Sequence, residues 1–173
     1  MLNYARTQNL SQAQHYEHFS TLLDIPAFVD YVILQLWIAN WDWPNNNWSA
    51  ARERSPEGRW RFMIWDAEGC METNMLSRVG FNDFPSWAAG GGAGLRGENT
   101  PIAQIYRGLR VNRDFAKLFG DRLHKHFFNR GALTEPNVSS RFLELKDMMA
   151  EVLPNMDMYI LNTWVPQRLS IFL

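Results

Sequence analysis

Apolar residues recur at helical spacing along most of this chain of 173 residues. Between 11 and 23 they predict an amphipathic helix, which Ser11 and Gln14 would open with a capping box. A second helix is expected to begin at Asp24, because an aspartate side chain can accept hydrogen bonds from the free amides of a first turn. Its apolar positions lie nearly all round the helix axis, so this helix should be central and buried.

The second helix is expected to end near Asn40. Pro44 disfavours helical geometry at the residue before it, and the three asparagines that follow favour turns. Two segments rich in apolar and aromatic residues, 48–54 and 59–64, then flank Ser55-Pro-Glu-Gly58, which is typical of a turn. One β-hairpin is therefore predicted directly after the loop.

The second half of the chain is predicted to be helical. Helices are expected at 100–109, at 112–128 and at 138–152, with short segments after Pro154 and around Pro166. Four methionines are interpreted as core residues: Met148, Met149, Met156 and Met158. The region from 67 to 99 is irregular and glycine-rich, which is typical of a functional or mobile loop. The expected fold class is mainly α (α+β), a single domain over 1–173 with one small hairpin.

Composition excludes several classes of function. Lysine and arginine number 17 against 18 aspartates and glutamates, and this balance offers no basic excess for binding nucleic acid. The longest apolar run, around 31–39, is too short to cross a bilayer, so no membrane segment is predicted. Cys70 is the only cysteine, which excludes an internal disulfide framework and a zinc site built from cysteines.

The candidate chemistry lies in the loop after the second helix and at the end of the hairpin. Asp42 and Asn47 have the spacing D-x-x-x-x-N, and Asp66 follows the second strand. In protein kinases such an aspartate orients the attacking hydroxyl, while the asparagine and the later aspartate hold magnesium. The order of these parts predicts phosphoryl transfer. The alternative is that Asp42 and the asparagines only cap a helix and form a turn, with Asp66 an ordinary residue at a strand end.

Two phrases, Asn40 to Trp48 (NWDWPNNNW) and Gly58 to Asp66 (GRWRFMIWD), together with 24–31, resemble the spore coat protein H (CotH) family of atypical protein kinases. The resemblance runs from about Ser11 to the C-terminus. It implies the helical C-terminal lobe of a protein kinase-like fold, which phosphorylates Ser or Thr of a protein substrate with ATP and Mg²⁺ or Mn²⁺. It also implies a protein that is exported or located on a spore or cell surface.

The resemblance also assigns roles to residues. Asp42 corresponds to the catalytic aspartate, and Asn47 and Asp66 correspond to metal ligands. The family commonly has another aspartate two residues after the last of these, where this chain has Glu68, whose longer carboxylate reaches a metal directly or through water. Asn46 is an alternative ligand.

The parts that cover a nucleotide are not evident. Kinases hold the phosphates with a glycine-rich cover and a lysine–glutamate pair from the lobe before the catalytic loop. About forty residues precede Asp42, and their pattern predicts two helices. We therefore expect a lobe without its N-terminal lobe, which would come from elsewhere or from a partner subunit, and little or no kinase activity of the chain alone. The G-x-G-x-x-G match at 92–97 follows the aspartates, so it is interpreted as a flexible loop.

Two functions from other classes stay open. The first is a non-catalytic module of a spore coat or cell surface, used for adhesion or assembly. The second is a glycoside hydrolase in which Asp42 pairs with Asp66 or Glu68. Asparagine is a poor general acid or base but a good oxygen ligand, which favours the metal-dependent reaction.

Overall fold

The computed structural model describes residues 1–40, 42–73 and 99–172 of the protein. Its elements are α1 (Leu2–Thr7), α2 (Ala13–Leu22), α3 (Ile25–Trp37), β1 (Trp48–Ala51), β2 (Arg61–Ile64), α4 (Pro101–Leu109), α5 (Arg113–Phe127), α6 (Glu135–Met148), a π-helical segment (Ile160–Trp164) and α7 (Val165–Phe172). The two strands form one antiparallel sheet. The expected class, mainly α with a small hairpin, is confirmed.

Helix α3 lies at the centre of the core, as its apolar pattern predicted. Asp24 caps it, since its Oδ1 accepts a hydrogen bond of 3.2 Å from the Ala27 amide. Residues on all sides of the helix are buried, and Phe28 and Ile33 have no exposed surface. A helix that is apolar all round is stable only when neighbours cover every face, and β2 and α5 both pack against it.

The hairpin is fastened to the start of α3. The Asp24 amide donates to the Trp60 carbonyl at 3.0 Å, and the Trp60 amide donates to Leu22 at 2.9 Å. Arg61 also donates to the Asp24 carboxylate, and Phe62 packs its ring on Phe28. The two elements that flank the loop, α3 and the hairpin, are therefore bonded directly to each other.

A half-buried ionic cluster joins α3 to α5. Asp30 accepts a hydrogen bond of 2.6 Å from Arg122 Nε and contacts the Arg122 Nη2 atom. His126 Nε2 lies 2.7 Å from the same carboxylate. Burial raises the pKa of Asp30, but the hydrogen bonds from Arg122 and His126 outweigh it and leave that pKa below its ordinary value.

The end of α3 is held by a buried arginine of α7. Arg168 is 1% exposed and donates to the carbonyls of Trp37 (2.6 Å) and Leu36 (2.5 Å). Its guanidinium also stacks on the Trp164 ring at 4.8 Å. These carbonyls belong to the last turn of α3, where no helix amide follows them, although the Leu36 carbonyl also accepts a bond of 3.2 Å from the Ala39 amide. The C-terminal helix thus stabilises the turn from which the loop departs.

Two expectations about the N-terminal region need correction. Helix α1 was not predicted, and the capping box at Ser11 is wrong. The N-cap of α2 is Gln12, which makes no side-chain cap. Asn9 instead accepts hydrogen bonds from the hydroxyl and the amide of Ser11, at 2.7 and 3.1 Å. The serine is therefore engaged in the preceding turn and is not available to the helix.

Helices α4 and α5 agree with the prediction, whereas α6 differs. The predicted 138–152 begins earlier, at Glu135, because Thr134 is the N-cap and a proline stands in the first turn. Met148 is 73% exposed and Met149 37% exposed, so their interpretation as core residues is wrong, while Met156 and Met158 are partly buried. Periodicity shows which residues share a helix face, but it does not show whether another element covers that face.

The glycine-rich motif at 92–97, and the predicted loop from 74 onward, lie outside the described residues. Among the helices that are described, none is both long enough and apolar enough to cross a membrane.

Candidate functional site

The loop after α3 is built from two successive turns. The Trp43 amide donates to the Asn40 carbonyl at 3.3 Å, and the Asn46 amide donates to the Asp42 carbonyl at 2.9 Å. The Trp43–Pro44 peptide bond is cis. Asp42 Oδ2 accepts a further bond of 2.8 Å from Asn46 Nδ2. The asparagine-rich turn of the alternative interpretation is thus present, but the Asp42 side chain bonds within the loop and does not cap α3.

A buried polar group supports this loop from below. Trp43 is 6% exposed, and its Nε1 donates to the Tyr31 hydroxyl at 2.7 Å. Gln35 has no exposed surface, and its Nε2 contacts the Tyr31 hydroxyl at 3.3 Å and the Asn47 carbonyl at 3.4 Å. Tyr31 and Gln35 are four positions apart, on one face of α3. The middle of the loop, through Trp43, and its last residue, Asn47, are therefore bonded to the same helix face.

Tyr31 and Gln35 were not predicted from the sequence as part of the site. The available signal was Gln35 itself, an amide in the middle of a helix whose other positions are nearly all apolar. A buried amide requires hydrogen-bond partners, and in a helix this apolar those partners must come from another part of the chain.

Asn47 stands where the loop enters β1. Its backbone is left-handed, with φ 57°, a conformation that asparagine adopts more readily than most residues. Its Nδ2 donates to Asn40 Oδ1 at 3.3 Å. Trp48 pairs with Ile64 across the hairpin, and the Trp65 amide donates to the Asn47 carbonyl at 3.4 Å. Asn47 therefore lies opposite Trp65, one residue before Asp66.

Asp66 and Glu68 form an exposed carboxylate pair just past β2. Asp66 also has a left-handed backbone, with φ 51°. The Glu68 carboxyl lies within hydrogen-bonding reach of Asp66, and this contact together with the negative charge of Asp66 raises the pKa of Glu68. Two carboxylates held this close repel each other when both are ionised. A cation between or beside them would relieve that repulsion.

The segment after Glu68 turns back toward α3. The Met71 amide donates to the Ile38 carbonyl at 2.9 Å, and the Cys70 thiol donates to Ala67 at 2.7 Å. Burial raises the pKa of Cys70, and the negative charge of Glu72 adds to this effect. A thiol with a raised pKa is a poor nucleophile, so Cys70 is not suited to nucleophilic catalysis.

The side chains in this part of the chain carry the kind of oxygen atoms that a hard divalent cation prefers. Mg²⁺ and Mn²⁺ prefer carboxylate and carbonyl oxygens, which Asp66, Glu68 and the Asn47 side chain offer at one end of the hairpin. In the described residues no point gathers three or more His, Cys, Asp and Glu side chains. A metal at this site would therefore depend on the amide oxygen of Asn47 as well as on the carboxylates.

The model of one protein family, described as "CotH kinase protein", matches residues 1–163. The chain belongs to the CotH kinase family. The expected resemblance to this family is confirmed; the match begins earlier than the expected Ser11, so it includes α1, and it ends at residue 163 instead of at the C-terminus. No match to the chain was found among curated proteins or among solved structures. As a member of a kinase family, the chain belongs to a group that in general uses a nucleotide and a divalent metal and acts on proteins.

Proposed function

We propose that this CotH-family chain is the part of a Ser/Thr protein phosphotransferase that orients the acceptor hydroxyl and holds the metal. Asp42 is the catalytic aspartate, and Asn47 and Asp66 are the ligands of Mg²⁺ or Mn²⁺, with ATP as the phosphate donor. The observation that carries the proposal is the hydrogen bond of 3.4 Å from Trp65 to Asn47. With the hairpin register, it sets Asn47 opposite Trp65, the residue that precedes Asp66, and this supports a shared ligand role for the two side chains.

Asp42 would act on the substrate. Its Oδ2 is engaged by Asn46, which fixes the plane of the carboxylate and leaves Oδ1 to accept a hydrogen bond from a Ser or Thr hydroxyl. The acceptor oxygen would thereby be aimed, and its proton would pass to Asp42. Asn46 is the alternative metal ligand, through its own Oδ1.

Asp66, Glu68 and Asn47 would hold the metal. When bound, the ion would neutralise charge on the phosphates of ATP. Glu68 stands where the family commonly has aspartate, and its contact with Asp66 supports its inclusion in the ligand set.

The nucleotide phosphates would be covered from outside this lobe. The residues before Asp42 include neither glycine nor lysine, and those described there form α1, α2 and α3. A glycine-rich cover and a phosphate-binding lysine would come from an N-terminal lobe or a partner subunit. We expect the chain alone to bind metal and to have little or no kinase activity.

Metal binding by the isolated chain tests the proposal. Mn²⁺ titration followed by electron paramagnetic resonance should show one site, which Asp66→Asn weakens by about tenfold or more because a ligand charge is lost. Asparagine adopts the left-handed backbone of position 66 as readily as aspartate does, so the substitution should not strain the loop. Asp147→Asn, on exposed α6, is the matched control and should bind Mn²⁺ like the wild type. Absence of Mn²⁺ binding at millimolar concentration, or equal effects of the two substitutions, would refute the metal site.

Two further assays separate the alternatives. ATP binding that depends on Mg²⁺, in the chain alone or after addition of an N-terminal lobe, favours the phosphotransferase over a non-catalytic surface module. Phosphate transfer to protein should disappear in Asp42→Asn. Release of sugar from an oligosaccharide that Asp42→Asn abolishes would instead establish the hydrolase.

A further inference from the structure

We infer that Asn40 is a positioning residue that fixes which atom of the Asn47 side chain is turned toward the metal. Asn40 is 3% exposed, and its Oδ1 accepts the hydrogen bond of 3.3 Å from Asn47 Nδ2. This inference rests on the proposed function, because it concerns the same metal site. It adds a residue that neither contacts the substrate nor binds the ion.

The two ends of an asparagine side chain differ in chemistry but hardly in shape. A carboxamide has an oxygen that can bind a cation and an NH₂ group that repels one. A free asparagine side chain could present either end. An acceptor that engages Nδ2 breaks this equivalence, since the oxygen must then lie on the opposite side of the amide group.

Asn40 is held firmly enough to act in this way. Its amide donates to the Gln35 carbonyl at 3.4 Å, and its carbonyl accepts the bond from Trp43. The main chain of Asn40 is thus bonded on one side to α3 and on the other to the loop that carries Asp42. Its side chain is enclosed by protein, so its oxygen stays in place.

A second observation supports a role for the Asn40 oxygen. The Nδ2 of Asn40 is buried and has no hydrogen-bond partner among the described residues. A buried donor without a partner destabilises the folded protein. That cost is offset if the other end of the same amide, its oxygen, makes a bond that the site needs.

Mn²⁺ affinity of the isolated chain tests the inference with four variants. Asn40→Ala and Asn40→Leu both remove the acceptor, and the leucine also fills the space that the asparagine leaves. Both should weaken Mn²⁺ binding by about tenfold, which is the typical effect of losing a residue that orients a metal ligand. Asn40→Asp keeps an acceptor for Asn47 Nδ2 and should retain wild-type or tighter binding. In an Asn47→Gly background, which tolerates the left-handed backbone, Asn40→Ala should change the affinity by less than about twofold.

A measurement without metal tests the orientation of the amide directly. In nuclear magnetic resonance spectra of the metal-free chain, the Asn47 side-chain NH₂ protons should exchange slowly in the wild type and in Asn40→Asp, and rapidly in Asn40→Ala. If instead the Asn40 NH₂ protons are the protected ones, the two amides are flipped and the inference is wrong.

The outcomes distinguish the inference from the function. If the wild type binds Mn²⁺ and Asn40→Ala binds it equally well, the inference fails and the proposed function stands. If Asn40→Leu restores the affinity that Asn40→Ala loses, Asn40 acts only by filling space, which also overturns the inference. If the wild type binds no Mn²⁺, the proposed function itself fails and the inference fails with it.

Discussion

Replacing Tyr31 by phenylalanine removes a single oxygen atom from the support beneath the loop. That hydroxyl accepts hydrogen bonds from Trp43 Nε1 at 2.7 Å and from Gln35 Nε2 at 3.3 Å. Exposed fractions are 6% for Tyr31, 6% for Trp43 and 0% for Gln35, so water cannot replace the lost acceptor without entering the core. The ring contact with Phe62, at 5.8 Å between centroids, is kept in the variant. The substitution therefore changes hydrogen bonding and leaves packing intact.

The size of the effect follows from the burial of the two donors. A buried polar group that loses its partner costs about 1–3 kcal/mol. The Gln35 amide keeps a weaker contact with the Asn47 carbonyl at 3.4 Å, so its share should be small. We expect the free energy of unfolding to fall by about 2–4 kcal/mol. For a domain of this size, that is a fall in Tm of about 4–16 °C. Because burial raises the pKa of Tyr31, the hydroxyl stays protonated and the loss should not vary between about pH 6 and 9.

Tyr159→Phe is the matched control. The Tyr159 hydroxyl is also buried but has no hydrogen-bond partner in the described part of the chain. Removing an unpartnered buried hydroxyl should leave stability unchanged or raise it slightly, since its desolvation is no longer required. Urea unfolding followed by circular dichroism gives both values. A loss below about 1 kcal/mol for Tyr31→Phe, or equal losses in both variants, would refute the proposed support of the loop.

Three further changes test the frame around the loop by urea unfolding. Asp24→Ala should lower the free energy of unfolding by about 1–3 kcal/mol, because it removes the cap of α3. Asp24→Asn keeps the cap and loses only the ion pair with Arg61, which is 67% exposed, so its loss should be under about 1 kcal/mol. Equal losses in the two variants would contradict this. Because the pKa of Asp30 is lowered in the folded protein, its contribution to the free energy of unfolding is present above about pH 4 and is lost as the pH falls through that lowered pKa. If the free energy of unfolding falls as steeply at acid pH in Asp30→Asn as in the wild type, this is wrong. Arg168→Met should cost about 3 kcal/mol or more, and a loss under about 1 kcal/mol would show that the α3 carbonyls do not need it.

The local chemistry of the sequence was enough to place most of the elements. Asp24, Thr100 and Asn112 each cap the helix predicted to start there, because a cap depends only on residues two or three positions away. The hairpin was predicted for the same reason, since its turn and its strands are adjacent along the chain. The order of Asp42, Asn47 and Asp66 is likewise a property of the sequence alone.

Contacts between distant segments were not predictable in this way. The apolar face of α6 has the same periodicity as a buried helix, and only the arrangement of its neighbours leaves Met148 exposed. Gln35 was visible as an oddity in an apolar helix, but its partners Tyr31 and Asn47 depend on where the loop passes.

The sequence by itself determined which residues could cap helices, turn the chain and supply oxygen ligands, because these are properties of short segments. The tertiary structure decided which of those residues meet. It placed Asn47 opposite Trp65, Asn40 against the Asn47 amide and Trp43 on Tyr31. Such meetings depend on packing the hairpin, α3 and α7 against one another, which no local spacing encodes.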